Sequence, residues 1–265
     1  MKLQGKVALV TGAASGNGKA IVTLFAQEGA KVIIADINYT AANEFAETLN
    51  RQGFTAMPIK ADITIEEDVK NMIDKAVSTF KKLDILVNNA GIFDMLIPIG
   101  DVTDALWEKV MNINLTAPMR TIRYVLPLFK AQKGGIIVNT ASIAGLTGAR
   151  GGGAAYVASK HGLIGLTKHV AFCYKEWNIR CNAVAPGRVE TNIQENSKIL
   201  LEPKGMSAHG NATDSILEKI AEGYITNMRK ANLEEIAKVA LFLASDDSSF
   251  VNGSVFVADG AWTAY

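Results

Sequence analysis

The chain is short of the residues that would mark several classes of protein. Only two cysteines, Cys173 and Cys181, occur among 265 residues. That is too few for a disulfide framework or a zinc cluster, so a reducing compartment is expected, with both thiols acting as buried apolar fillers. Neither sign of charge is in excess. With 27 lysines and arginines against 26 aspartates and glutamates, the formal net charge is +1, and nothing draws the chain electrostatically to nucleic acid or an anionic membrane. Long apolar runs are also missing. The longest uncharged stretch, Gly134 to Ala149, includes Asn139, Thr140 and Ser142 and is shorter than the roughly 18 apolar residues a membrane-crossing helix needs. Met1 to Lys6 leads straight into Val7 to Val10 without an apolar leader or a cleavage site. No secretory signal is read, and the expected location is the cytoplasm. No repeat or Pro/Gly/Ser-rich linker divides the chain, so a single domain is expected over residues 1–265.

Apolar residues, by contrast, are plentiful at 49%, and charged residues reach only 20%, below the roughly 25% of average usage. The apolar residues gather in short runs: Val7 to Val10, Val32 to Ala35, Ala56 to Ala61, Ile85 to Val87, Ile136 to Asn139, Arg180 to Val184 and Val255 to Val257. The early runs are β-branched and do not alternate with polar residues, the pattern of strands covered on both faces. Helical stretches separate them. Thr64 with Glu67, and Asn232 with Glu235, read as capping boxes at two helix starts. Strand and helix alternating in this way predict an α/β fold of the Rossmann type, doubly wound, with a seven-stranded parallel sheet and helices on both faces. The rhythm lapses between Thr191 and Asn232, and residues 192–231 are expected to form a lid over a site.

Three clusters carry chemistry. The first run is followed by Thr11-Gly12-Ala13-Ala14-Ser15-Gly16-Asn17-Gly18, a glycine-rich turn opening a helix. Glycines permit a tight turn and close approach to a pyrophosphate, whose charge then lies at the helix N-terminus. The spacing G-x-x-x-G-x-G departs from the commoner G-x-G-x-x-G. Asp36 ends the second run, 18 residues beyond Gly18, near the position of an acid that accepts the ribose hydroxyls of NAD. Ile37 and Asn38 follow it and offer no guanidinium to a 2′-phosphate, so NAD is favoured over NADP. Asp62, in Asp62-Ile63-Thr64, reads two ways: against the adenine, or as a cap for the next helix. Tyr156 and Lys160 are four residues apart and share a helix face. Ser142 follows the Ile136 run at a strand carboxyl end, where open α/β sheets bind ligands. A phenol is a poor base at neutral pH, but a neighbouring ammonium favours the phenolate, which makes the tyrosine an acid/base candidate.

These residues, with Asn88-Asn89-Ala90-Gly91 and Pro186-Gly187-Arg188-Val189-Glu190-Thr191, resemble the short-chain dehydrogenase/reductases of the single-domain, NAD(P)-dependent type. The resemblance runs from the first strand to Asp259-Gly260. It implies that Tyr156 gives or takes the proton and Ser142 binds the substrate oxygen, while Lys160 holds the nicotinamide ribose and lowers the tyrosine pKa. It places Asn89, Ala90 and Gly91 along the adenosine side and Pro186, Gly187, Val189 and Thr191 at the nicotinamide; read alone, Asn88 to Gly91 is simply a turn. Gly12, Ser15, Asn17, Gly18, Asp36, Ile37, Asp62 and Ile63 complete the implied cofactor set. Asn114 matches a fourth catalytic position, whose backbone carbonyl holds a relay water where a helix kinks. Pro118, four residues on, has no N–H for that carbonyl and is the expected cause of the kink.

The implied substrate is a small alcohol or ketone interconverted by hydride transfer. Phe93, Met95, Met206, His209 and Tyr224 suggest an apolar pocket, though such residues are also ordinary packing. Arg150 and Arg188 read either as anion ligands or as solvated surface. The resemblance further implies a homotetramer built on long helices at Asp104 to Lys130 and Ala154 to Trp177, together with the C-terminal region. A non-catalytic NAD-binding sensor is the alternative, and keeping Ser142, Tyr156, Lys160 and Asn114 together argues against it. The extended epimerases share the Tyr and Lys pair but carry a larger C-terminal domain, for which this chain has no room.

Overall fold

Residues 1–148, 151–201 and 229–264 are described by a computed structural model of the chain. Among them, seven parallel strands form one sheet in the order β3-β2-β1-β4-β5-β6-β7. The strands are β1 (Val7–Thr11), β2 (Lys31–Asp36), β3 (Ala56–Lys60), β4 (Ile85–Asn88), β5 (Gly135–Thr140), β6 (Ile179–Pro186) and β7 (Val255–Ala258). Each coincides with one of the seven apolar runs, so the Rossmann-like reading holds. Between them lie α1 (Gly16–Gln27), α2 (Tyr39–Arg51), α3 (Glu66–Phe80), α4 (Asp104–Met111), α5 (Ala117–Gln132), α6 (Ala154–Tyr174), α7 (Ile193–Leu201) and α8 (Leu233–Ala244).

Alternate strand residues build two separate cores, because successive side chains point to opposite faces of a sheet. Ala8 and Val10 of β1, Val32 and Ile34 of β2, and Ile85 and Val87 of β4 pack with Phe25 of α1, Leu49 of α2 and Leu243 of α8. Their neighbours Val7, Leu9, Ile33 and Leu86 face the other way, toward Met72 of α3, Phe129 of α5 and Val170 of α6. This is why the runs do not alternate with polar residues: both faces are dry. The order of strands reverses direction where β1 pairs with β4, and at that switch point the loops after the strand carboxyl ends part to leave a crevice.

Helix starts and stops explain local detail. Asn232 and Glu235 form the expected capping box at α8, each side chain bonded to the other's backbone N–H. Thr64 and Glu67 do not. The α3 N-cap is Ile65, without a side-chain cap, because Asp62 Oδ1 takes both the Thr64 N–H (2.9 Å) and the Thr64 hydroxyl (2.7 Å). A second correction concerns Cys173: Cys181 is buried as expected, but Cys173 is exposed, beside His169 one turn earlier on α6. Between α4 and α5 the helix widens into one π turn, Asn112–Thr116, where the Ala117 N–H reaches back to the Asn112 carbonyl. The expected long helix from Asp104 is therefore interrupted just before Pro118, the second residue of α5. The single exposed turn Ile99–Asp101 precedes α4.

Of the expected lid, α7 and residues 229–231 are described; Ala231 bridges to Val189 in parallel register. Met206, His209 and Tyr224 lie outside the described residues, as does Arg150. No helix among the described residues is long and apolar enough to cross a membrane.

Candidate active site

The glycine-rich turn between β1 and α1 has the backbone its residues require. Gly12 and Gly16 have φ of +61° and +50°, a region that glycine enters without steric cost. Gly18 is fixed by space instead. A Cβ there would sit 2.1 Å from the Gly12 carbonyl and 2.6 Å from the Asn89 amide nitrogen. Asn89, at the end of β4, clamps the turn: its Nδ2 donates to the Thr11 and Gly12 carbonyls, both at 3.1 Å. The Thr11 hydroxyl in turn accepts from the Asn89 and Ala90 N–H groups. Asn17 Oδ1 is shielded from solvent and has no hydrogen-bond partner among the described residues. An acceptor held out of water at the start of α1 asks for a donor from elsewhere. Together with the crowded glycines, it fits a turn shaped around a dinucleotide.

Several other residues of the implied cofactor set stand around this turn. Asp36 Oδ2 accepts from the Ala14 N–H (3.0 Å) and Oδ1 from the Asn38 N–H (2.9 Å), so its carboxylate stands between the glycine-rich turn and the start of α2. Ile37 beside it is exposed and Ile63 is buried. Asp62 caps the turn ahead of α3 rather than the helix itself. Ser15 is the N-cap of α1 and makes no side-chain capping bond. At the end of β6, Pro186 is buried, and Gly187 is pinned by β7, since a Cβ would lie 2.8 Å from Asp259 Cβ. Thr191 closes the ring, because a Cβ on Gly16 would meet its methyl group at 3.7 Å. The loops after β1, β2, β4 and β6 thus converge.

The catalytic candidates stand at the carboxyl end of β5. Ser142 follows β5 and caps a short turn, its hydroxyl accepting from the Ala144 N–H at 3.2 Å. α6 runs past it and presents Tyr156 and Lys160. The Lys160 ammonium is fully enclosed and donates to the Thr140 carbonyl at 2.8 Å. It lies 5.5 Å from the centre of the Tyr156 ring. Burial alone pulls its pKa down from 10.5 to about 8, since a dry surrounding disfavours the charged form. Gly91 leaves room for this cation: a Cβ there would come within 3.6 Å of Lys160 Nζ and 3.2 Å of Asn114 Oδ1. The Asn114 side chain is wholly committed. Its Oδ1 accepts from the Ile92 N–H, and its Nδ2 donates to the Ile92 carbonyl, both at 2.9 Å, and to Ser159 Oγ at 3.2 Å. Four residues on from its backbone carbonyl stands Pro118, which has no N–H to donate.

Tyr156 is walled by apolar groups. Phe93 meets it edge to face with ring centres 5.2 Å apart, and Met95, Leu96, Val157 and Ile193 pack around the pair. Arg188 is exposed, as its solvated reading expects. Two polar residues here escape sequence reasoning. Ser197 of α7 is buried and accepts from the Phe93 N–H at 2.8 Å, joining segments 104 residues apart. Asp94, also buried, accepts from the Tyr156 N–H at 2.8 Å. An aspartate within Ile92-Phe93-Asp94-Met95-Leu96 was the available signal, since a charge inside an apolar run needs a partner.

Comparison with known proteins agrees with this geometry. The model of the short chain dehydrogenase family matches residues 6–199. The chain is 42% identical over 264 residues to 3beta-hydroxysteroid dehydrogenase 2 of Eggerthella lenta, covering 99% of this chain and 96% of that protein. It is 39% identical over 267 residues to cyclohexanol dehydrogenase of an Acinetobacter species, covering 99% and 97%. Among solved structures, levodione reductase superposes with a TM-score of 0.86 at 33% identity, over 99% of this chain and 100% of that one.

Proposed function

Because the chain belongs to the short-chain dehydrogenases, oxidoreductases of alcohol and carbonyl groups, we propose that it interconverts an apolar, ring-borne secondary alcohol and its ketone with NAD(H). A bound nicotinamide would supply hydride acceptance in one direction and hydride donation in the other. Everything else falls to the chain. Ser142 holds the substrate oxygen by hydrogen bonding, and Tyr156 takes the hydroxyl proton in oxidation or returns it in reduction. Lys160 favours the tyrosinate by its charge, and the Asn114 carbonyl holds a water through which the proton reaches solvent. Gly12, Ser15 and Gly18 would cradle the pyrophosphate, and Asn17 Oδ1, which needs a donor that the phosphates lack, would accept from a hydroxyl of the bound nucleotide. Asp36 accepts from the adenosine ribose and repels a 2′-phosphate, the basis for preferring NAD to NADP.

The observation that carries this reading is the enclosed Lys160 ammonium, tied to the Thr140 carbonyl beside the Tyr156 ring. A buried cation is costly unless its charge is used. The apolar wall around Tyr156, and the alcohols and ketones named for relatives, support the substrate class. Tyr156→Phe should abolish NADH formation across a panel of cyclic alcohols while NADH binding, followed by fluorescence, persists; turnover retained in that variant refutes the assignment.

One domain carries cofactor and catalysis in this reading, with residues 192–231 as its lid. The protein works as a soluble cytoplasmic homotetramer. Support for the assembly comes from exposed Phe172 and Phe250, and from a groove of about 280 Å³ between α5 and α6 whose lining mixes Met119, Leu166 and Tyr174 with Arg123, Lys130 and His169. Exposed apolar surface of this kind marks interfaces. Light scattering tests it, and a monomeric mass would remove the proposal.

A further inference from the structure

Asp94 takes no part in the chemistry above, yet its side chain is completely buried. Among the described residues it forms no ion pair, so backbone N–H groups alone compensate the carboxylate. Oδ2 accepts from Tyr156 at 2.8 Å; Oδ1 accepts from Gly153 at 2.9 Å and from Leu96 at 3.3 Å. Burial raises the pKa of the group, and these donors oppose the rise.

The cap comes from a distant loop for a steric reason. Gly153 is the N-cap of α6 and has no side chain to cap with. None could fit, because a Cβ there would lie 2.4 Å from the Ile97 nitrogen and 2.5 Å from its carbonyl oxygen. The loop and the helix are pressed together backbone to backbone, and the Ala154 N–H donates to the Ile97 carbonyl at 2.9 Å. Within the loop, Met95 and Leu96 have φ of +58° and +64°, strained values for residues with side chains. The bond from the Leu96 N–H to Asp94 helps hold them there. Those same two residues pack against the cluster that Tyr156 forms with Phe93 and Ala144.

We propose that Asp94 is a positioning residue for the tyrosine: its carboxylate locks the first turn of α6 to the loop Phe93–Ile97, so that Tyr156 and the wall of its pocket keep one geometry. This rests on Tyr156 being the acid/base. The role is orientation, and its loss should appear in kcat, because small misplacements of a reacting group cost rate steeply.

Asp94→Asn is the test. The amide has nearly the same shape but one acceptor oxygen, so its Nδ2 must face a backbone N–H, and either Tyr156 or Gly153 loses its partner. In fully folded variant, kcat should fall by about 10- to 100-fold, with the Kd for NADH and the substrate KM little changed. Hydrogen exchange of unliganded protein should quicken at whichever of the Tyr156 and Gly153 amides has lost its acceptor. If the variant does not fold, Asp94→Ser removes the charge and leaves space for a water, and the same measurements apply. A wild-type kcat, a loss carried by KM alone, or unaltered exchange at both the Tyr156 and the Gly153 amides overturns the role. Should Tyr156→Phe keep turnover, the acid/base reading itself falls; should Tyr156→Phe be inactive and Asp94→Asn fully active, only the inference about Asp94 falls.

Discussion

Lys160→Met should leave a protein that is inactive and, near neutral pH, at least as stable as the wild type. The folded-state pKa of Lys160 is lowered from 10.5 to about 8 by burial. Below about pH 8 the lysine is protonated in folded and unfolded chains alike, and the full cost of an enclosed ammonium is present. Between about 8 and 10.5 the unfolded chain holds a proton that the folded one has released, so wild-type stability rises with pH. The gain is about 1.4 kcal/mol per pH unit, or about 3 kcal/mol across the window. Methionine is similar in length and does not titrate. Its one loss is the hydrogen bond to the Thr140 carbonyl, which costs about 1–3 kcal/mol when a buried acceptor is left unmade. At neutral pH the two effects nearly cancel or favour the variant; toward pH 10.5 the wild type should gain on it by about 3 kcal/mol. Urea unfolding of both unliganded proteins at fixed concentration, followed by circular dichroism from about pH 7 to about 10.5, gives that difference directly. Other groups titrating in the same range cancel between the two proteins. A difference curve that stays flat would refute the argument that burial destabilises the Lys160 ammonium.

Two further substitutions address the cofactor and the relay. Asp36→Ala should weaken NAD binding by about 10- to 100-fold, the worth of a charge-assisted hydrogen bond of about 1.5–3 kcal/mol, and should raise relative use of NADP; an unchanged NAD-to-NADP ratio of kcat/KM would deny Asp36 its ribose role. Pro118→Ala supplies an N–H four residues beyond the Asn114 carbonyl, so that carbonyl should become engaged in the helix and kcat should fall. Unchanged kcat, with the carbonyl still open to a water in a crystal structure of the variant, would make Pro118 incidental.

The strands were legible because each needs only a short β-branched run, and both buried faces reinforce the same signal. Helix ends were less so. The Asn232 box formed even though Arg229 also bonds the Glu235 carboxylate, because Oε2 accepts from both Arg229 and the Asn232 N–H, whereas Thr64 lost its capping role to Asp62, two residues away, a competition that residue spacing does not reveal. Spacing and strand position pointed to Ser142, Tyr156 and Lys160, and resemblance supplied their proposed roles and added Asn114; neither says anything of the Thr140 carbonyl that holds the lysine. The partners of Asp94 were hidden for a different reason, although a charge inside an apolar run marked the residue. Its helix partners lie 59 and 62 residues along the chain, and only the folded loop shows that a glycine N-cap has handed its task to a remote carboxylate.

Asn89 gives the molecule a boundary for rebuilding. Since its amide spans two carbonyls of the glycine-rich turn, and the segment after it is tied in succession to Asn114 and to the start of α6, residues 88–97 cannot be exchanged without disturbing cofactor and tyrosine together. The chain escapes those ties just beyond, at the exposed turn Ile99–Asp101, where a Cβ on Gly100 would meet nothing within 4 Å. A longer loop spliced in at Gly100 should therefore leave residues 88–97 in register.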